Sequence, residues 1–224
     1  MFARFDRMAK AFTRIGKEIS IAVRQAGPHP ENNPKLRLAI QNAKGVNMPK
    51  DRVDAAIRRA SSKEEKDYQE VTYEGYGPHG VPMIVECATD NPTRTVANIR
   101  VHFSKNGGSM GNSGSVAFLF ERRGVFKFDP GVLNLDEIEL DLIDAGAEDI
   151  DRSEEEIVLH TKFTEFGTMQ KFLELKNLEA KSSEIHYVPT TTKELPDEHQ
   201  DEIFKLIEVL EGDDDVQNVY HNLA

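Results

Sequence analysis

The chain has 224 residues, a formal net charge of −11 and 38% hydrophobic residues, which supplies real cores and excludes a disordered chain. A single cysteine, Cys87, excludes an intramolecular disulfide, and the N-terminal residues lack the apolar run of a secretion signal or membrane span, so the expected compartment is the cytoplasm, with no membrane partner. The charge is uneven: residues 1–63 hold fourteen Lys or Arg against five Asp or Glu, and the remainder fourteen against thirty-four, leaving an acidic chain with one positive end suited to a polyanion.

In the first segment Phe5, Met8, Phe12, Ile15, Ile19 and Ala22 recur at three- and four-residue steps. They predict one helix with a buried stripe, while Arg7, Lys10, Arg14, Lys17 and Arg24 project roughly opposite. Gly27, Pro28 and Pro30 end that helix. Asn33 caps a second one with Pro34 at its first position, Gly45 is expected to supply a left-handed stop, and Pro49 starts a third. Leu36, Ala39, Ile40 and Ala43 face inward on the second helix, and Val53, Ala56, Ile57 and Ala60 on the third. Together the stripes predict a basic helical bundle over residues 1–67, ended by the polar link 61–66.

The period then changes to alternation. Strands are expected over residues 71–76 and 81–88, followed by a helix opened by Asn91-Pro92 that carries Val96, Ile99, Val101 and Phe103. Gly107, Gly108, Gly111 and Gly114 make a flexible or tightly turning loop before a strand at 115–120. From Gly124 the pattern reads strand 125–128, helix 135–145, hairpin 148–151 with 156–160, helix 165–178 and strand 183–188, a ferredoxin-like β-α-β-β-α-β order. A last helix at 198–210 and a strand at 216–220 lack partners of their own and are expected to return to the first sheet. The predicted class is α+β: an N-terminal three-helix bundle followed by two α/β sandwich domains, one ferredoxin-like (123–191) and inserted into the other (68–122 plus 192–224).

Chemistry is concentrated at the positive end. Arg7, Lys10, Arg14, Lys17, Arg24, Lys35, Arg37, Lys44, Lys50, Arg52, Arg58 and Arg59 have too few local acids for helical ion pairs, so they repel one another unless a polyanion or the acidic domains compensate. They are the expected nucleic-acid contacts, with Arg94, Lys105 and Asn106 as secondary ones. The glycine loop follows a helix and precedes a strand, the reverse of a nucleotide-binding fold, and lacks the Walker lysine. The seven histidines show no metal-binding spacing, Cys87 sits in a strand pattern, and Asp213–Asp215 reads as a solvated acidic turn. No catalytic residue, metal or cofactor is expected.

Three blocks, NPKLRLAIQNAKGVNMPKDRVDAAIRRA, YEGYGPHGVPMIVECATDNPTRTVANIR and FSKNGGSMGNSGSVAFLFERRG, resemble the YebC/PmpR family of transcriptional regulators, which includes the mitochondrial translational activator of cytochrome c oxidase. The resemblance spans nearly the whole chain. It implies a three-domain α/β protein with the helical domain first, DNA binding in some members and ribosome-associated translation roles in others. The expected function is therefore a noncatalytic transcriptional regulatory protein that binds DNA through the bundle. A translation factor docked on ribosomal RNA is the alternative, and a protein-interaction adaptor the third reading. Ribosomal or transcription proteins are the expected protein partners, met by the acidic body.

Overall fold

The computed structural model, which describes residues 2–62 and 67–224 and the side chains from Met8 onward, begins with the helix α1 (Phe2–Ala26). Phe5, Arg7 and most of the polar link therefore lie outside the described side chains. Ile15, Ile19, Ala22 and Val23 of α1 pack on Leu36, Ala39 and Ala43 of α2 (Pro34–Gly45) and on Val53, Ala56 and Ala60 of α3 (Lys50–Ala60). Each such buried branched residue contributes roughly 1.5–3 kcal/mol. Asn33 caps α2 by accepting from the Leu36 N–H at 3.0 Å, and its own amide donates to the carbonyls of Ala22 and Gly27 at 2.7 and 2.9 Å. One buried side chain thus starts α2 and ties it to the end of α1.

Gly45 does not provide the left-handed stop expected of it. It is helical, and Asn47 takes the positive φ of 57° instead. Glycine is needed at 45 because a β-carbon there would overlap the Lys181 carbonyl, just ahead of β7 (Ser182–Pro189).

The next elements are β1 (Gln69–Tyr76), β2 (Pro82–Thr89), α4 (Pro92–Lys105), β3 (Ser109–Met110), β4 (Phe120–Phe128), α5 (Leu135–Asp144), β5 (Ala147–Arg152), β6 (Ile157–Lys162), α6 (Phe166–Leu175), β7 (Ser182–Pro189), α7 (Asp197–Glu211) and β8 (Val216–His221). They form two four-stranded sheets, ordered β3-β1-β2-β8 and β5-β6-β4-β7, with every pairing antiparallel. The C-terminal β8 pairs with β2, so the chain leaves the first sheet, builds the second and returns. Ile99 and Phe103 of α4 and Ile203, Leu206 and Leu210 of α7 cover the first sheet. Phe126, Phe128 and Leu159 meet Leu142 of α5 and Met169 and Leu173 of α6 on the second. Its order is that of a ferredoxin-like unit, so the α+β class with one domain inserted in the other is what the structure has. No helix among the described residues is long and apolar enough to cross a membrane.

Residues 115–119 do not form the expected strand, which begins only at Phe120 as part of β4. They make a 3-10 turn at Ala117–Leu119, because the buried Glu74 carboxylate accepts the N–H groups of Gly114, Val116 and Ala117 at 2.7, 2.8 and 2.9 Å. Burial pushes that carboxyl up, but these three donors outweigh it and hold it below the usual carboxylate range. The glycine loop is therefore tightly anchored.

Candidate nucleic-acid interface

The bundle is clamped to the rest of the molecule at two places, and the clamps consume part of the predicted basic surface. Lys17 is 7% exposed. Its ammonium donates to the Ala88 carbonyl at 2.9 Å, the Asp214 carbonyl at 2.6 Å and Asp215 Oδ1 at 3.1 Å. The other Asp215 oxygen accepts from Arg94 at 2.7 Å, Thr95 at 2.8 Å and Thr89 at 3.2 Å. Burial raises the Asp215 carboxyl, yet hydrogen bonds from Arg94, Thr95 and Lys17 hold it below its ordinary value. Lys17 and Arg94, both read as contacts for nucleic acid, are instead partners of one buried carboxylate. The acidic turn expected to be solvated is the socket that receives them.

At the second clamp the Asn42 side chain pairs with the backbone of Ser183 in β7. Its Nδ2 donates to the Ser183 carbonyl at 3.2 Å, and its Oδ1 accepts the Ser183 N–H at 2.9 Å. Gln41 donates to the Ala180 carbonyl at 2.9 Å, and Lys44 pairs with Glu179. Nearby, Arg37 lies 3.6 Å from Glu174, Lys35 3.9 Å from Glu70 and Arg24 3.2 Å from Asp67. Arg24, Lys35, Arg37 and Lys44 are thus compensated by acids lying beyond the bundle helices, three of them in the α/β domains. These pairs are exposed and individually weak.

Between the clamps, Arg14 and Glu18 of α1 face the sheets and are half-buried. Burial, and then the charges of Glu184, Glu70 and Glu86, push the Glu18 carboxyl up to about 7 against the opposing pull of Arg14. A carboxyl raised in the folded protein holds its proton where the unfolded chain has lost it, so stability falls as pH rises from about 4.5 to about 7. Glu18→Gln is accordingly expected to leave stability unchanged near pH 4 and to raise it at pH 8 by on the order of 2 kcal/mol. Thermal melts of both proteins at the two pH values check this.

The remaining predicted cations, Lys10, Lys50, Arg52, Arg58 and Arg59, are exposed and form no ion pair among the described residues. They lie on α1 and α3, which run side by side in the same direction: the Arg52 guanidinium sits 5.5 Å over the Phe12 ring, and Arg24 reaches the Ser62 carbonyl at 3.0 Å. On α3, Lys50 and Arg58 border the α2 side and Arg52 the α1 side, with the exposed Asp51 and Asp54 on the same helix. Together α2, α3 and the Pro28–Pro30 corner enclose a groove of about 890 Å³ lined by Ile40, Met48, Val53 and Ile57, with Lys44, Lys50 and Arg58 among its polar residues. Lys105 and Asn106 lie elsewhere, about 16 Å along α4 from Arg94. The Asn106 amide is occupied by the His102 carbonyl at 2.8 Å.

Among the histidines, His79 and His199 stack with ring centroids 3.7 Å apart, and Cys87 is buried in β2. Burial, followed by the nearby Asp213 and Asp215, pushes the Cys87 thiol up to about 12, which keeps it a packed, protonated side chain. Among the described residues no group of three or more His, Cys, Asp or Glu side chains is arranged to hold a metal ion. The residues that sequence reasoning missed are Asn42, Glu74 and Asp215, whose partners lie far away in the chain. The only local signal was the run of three aspartates.

Residues 1–63 match the TACO1/YebC protein N-terminal domain, and residues 68–223 the TACO1/YebC second and third domain. A "Probable transcriptional regulatory protein" of Cytophaga hutchinsonii is 57% identical over 221 residues, covering 99% of this chain and 93% of the relative. One of the same name from Anaeromyxobacter dehalogenans is 53% identical, covering 100% and 95%. The crystal structure of a conserved hypothetical protein from Aquifex aeolicus superposes with a TM-score of 0.84 at 36% identity, over 96% of this chain and 90% of that one. With family models matching residues 1–63 and 68–223, the chain belongs to the TACO1/YebC family.

Proposed function

We propose that this protein is a noncatalytic, cytoplasmic regulator of gene expression that binds nucleic acid through the α1–α3 face carrying Lys10, Lys50, Arg52, Arg58 and Arg59. The observation that carries the reading is the sorting of the bundle's charges. Lys17, Arg37 and Lys44 are paired with acids of the α/β domains, and Lys10, Lys50, Arg52, Arg58 and Arg59 form no ion pair among the described residues. Exposed cations not engaged in ion pairs bind phosphates by releasing counterions. The acidic body repels a polyanion from every other side and orients its approach.

The name carried by the relatives favours DNA. The face itself offers charge, not a protruding base-reading element, and this suits ribosomal RNA equally; a translation factor docked on the ribosome is therefore the second reading. The adaptor reading stands only if neither polyanion binds.

Reversing Lys50, Arg52, Arg58 and Arg59 to glutamate is expected to weaken binding to duplex DNA or ribosomal RNA at least about 100-fold at low salt. The slope of log affinity against log salt should flatten by about 3 to 4. Lys17 is left out of this set because its reversal would disrupt the buried clamp. Affinity and slope unchanged in a variant with intact helicity would remove the face from consideration. Retention of a promoter fragment over random duplex would separate DNA regulation from ribosome co-sedimentation.

A further inference from the structure

Two exposed surfaces of the molecule have opposite charge and matching apolar character. On α5, Leu140 is 77% and Ile143 51% exposed. They stand one turn apart on a single helical face, with Asp136, Glu137 and Asp144 at the neighbouring turn positions. Glu139 and Asp141 are paired with Arg152 and Lys176 at 3.0 Å each, whereas those three acids have no ion pair among the described residues. The bundle groove is the converse. Its floor includes Ile40, Met48 and Ile57, and Lys50 and Arg58, which also line it, form no ion pair among the described residues.

The geometry points to head-to-tail self-association, in which α5 of one molecule docks in the α2–α3 groove of the next. An acidic helix with two exposed aliphatic side chains three residues apart answers both features of the groove, the usual pattern of helix-in-groove recognition. A phosphodiester chain would satisfy Lys50 and Arg58 but leave the apolar floor uncovered. Asp54 also lines the groove, one turn from each of Lys50 and Arg58, so the lining keeps a net positive charge with Lys44 for the acids of the incoming helix to meet. Leu135 and Leu142 hold α5 against its own sheet, and Asn42 holds α2 against β7. The complementary pair is therefore available between molecules. Because the two surfaces differ, the contact is heterologous and each added molecule leaves one of each kind free.

Sedimentation of the full chain from about 1 μM to about 1 mM covers the range of such a contact. The mean mass is expected to rise with concentration and to return to monomer as salt is raised from about 50 to about 500 mM. Two variants, Lys50→Glu with Arg58→Glu and Leu140→Ser with Ile143→Ser, are each expected to be monomeric with unchanged melting, since all four residues are exposed. Mixed in equal amounts they should form a 1:1 dimer and stop there, because each supplies the surface the other lacks. The Leu140→Ser, Ile143→Ser variant should keep full nucleic-acid affinity, which separates this test from that of the preceding reading.

A parent monomeric throughout the range overturns the inference. So does association that survives in both variants, or a mixture that stays monomeric when the parent does not. A monomeric parent whose groove takes up a synthetic peptide of residues 132–146 would assign the groove to a different acidic protein and would equally overturn it.

Discussion

Asp215→Ala is expected to cost about 3–5 kcal/mol of stability, the range for removing one partner of a buried ion pair. The carboxylate is the common acceptor for Lys17 from the bundle and for Arg94, Thr95 and Thr89 from the first α/β domain. Without it Lys17 keeps two carbonyls, Ala88 and Asp214, and the face of the Tyr68 ring at 5.3 Å, but its buried charge loses the carboxylate paired with it. Lys17→Met in the same background removes that stranded charge and should recover part of the loss. Urea unfolding of the parent, the single variant and the double variant measures the coupling; additive costs would show that the two residues do not act as a pair. Because the Asp215 carboxyl is held below its ordinary value, the stability it supplies is present at neutral pH and lost as pH falls below about 4.

Glu74→Ala is the second large effect expected. It strands the buried N–H of Val116 and leaves the part-buried N–H groups of Gly114 and Ala117 without their acceptor, and an unsatisfied buried group costs roughly 1–3 kcal/mol. Water entering the space left by the side chain recovers some of this, so a net loss of about 3 kcal/mol is expected. Hydrogen exchange is the sharper readout: protection at those three amides should collapse while the amides of β6 keep theirs. Unaltered protection at residues 114–117 would show that the loop holds its shape without the carboxylate.

Most of the fold was legible because its determinants are local. Asn33 and Asn91 cap the helices that their positions before proline announce, and their side chains accept from Leu36 and Arg94. The inward residues of α4 and α7 follow the helical period. What was illegible depends on contacts across the chain. Residues 115–119 read like a strand, and only a carboxylate about forty residues earlier turns them into a 3-10 corner. Lys17 lies on what looks like the polar side of α1. That helix, however, is enclosed on both sides, and residues 19–23 are all buried, so no solvent face remains at that level. Gly45 has the look of a helix stop but serves a close approach to Lys181. The excess of positive charge was readable from composition. Which cations stay free depended on where the acidic domains dock.

The side-chain amide of Asn42 presents to β7 one donor and one acceptor, the same pair that a neighbouring strand would offer, and β7 is the outer strand of its sheet. An open outer strand is a template for unwanted intermolecular pairing. Seating of the bundle therefore guards the inserted domain against aggregation. Substitutions at 42 or 45 should betray themselves first as poor yield of clear protein, well before any change in the melting of the two sheets.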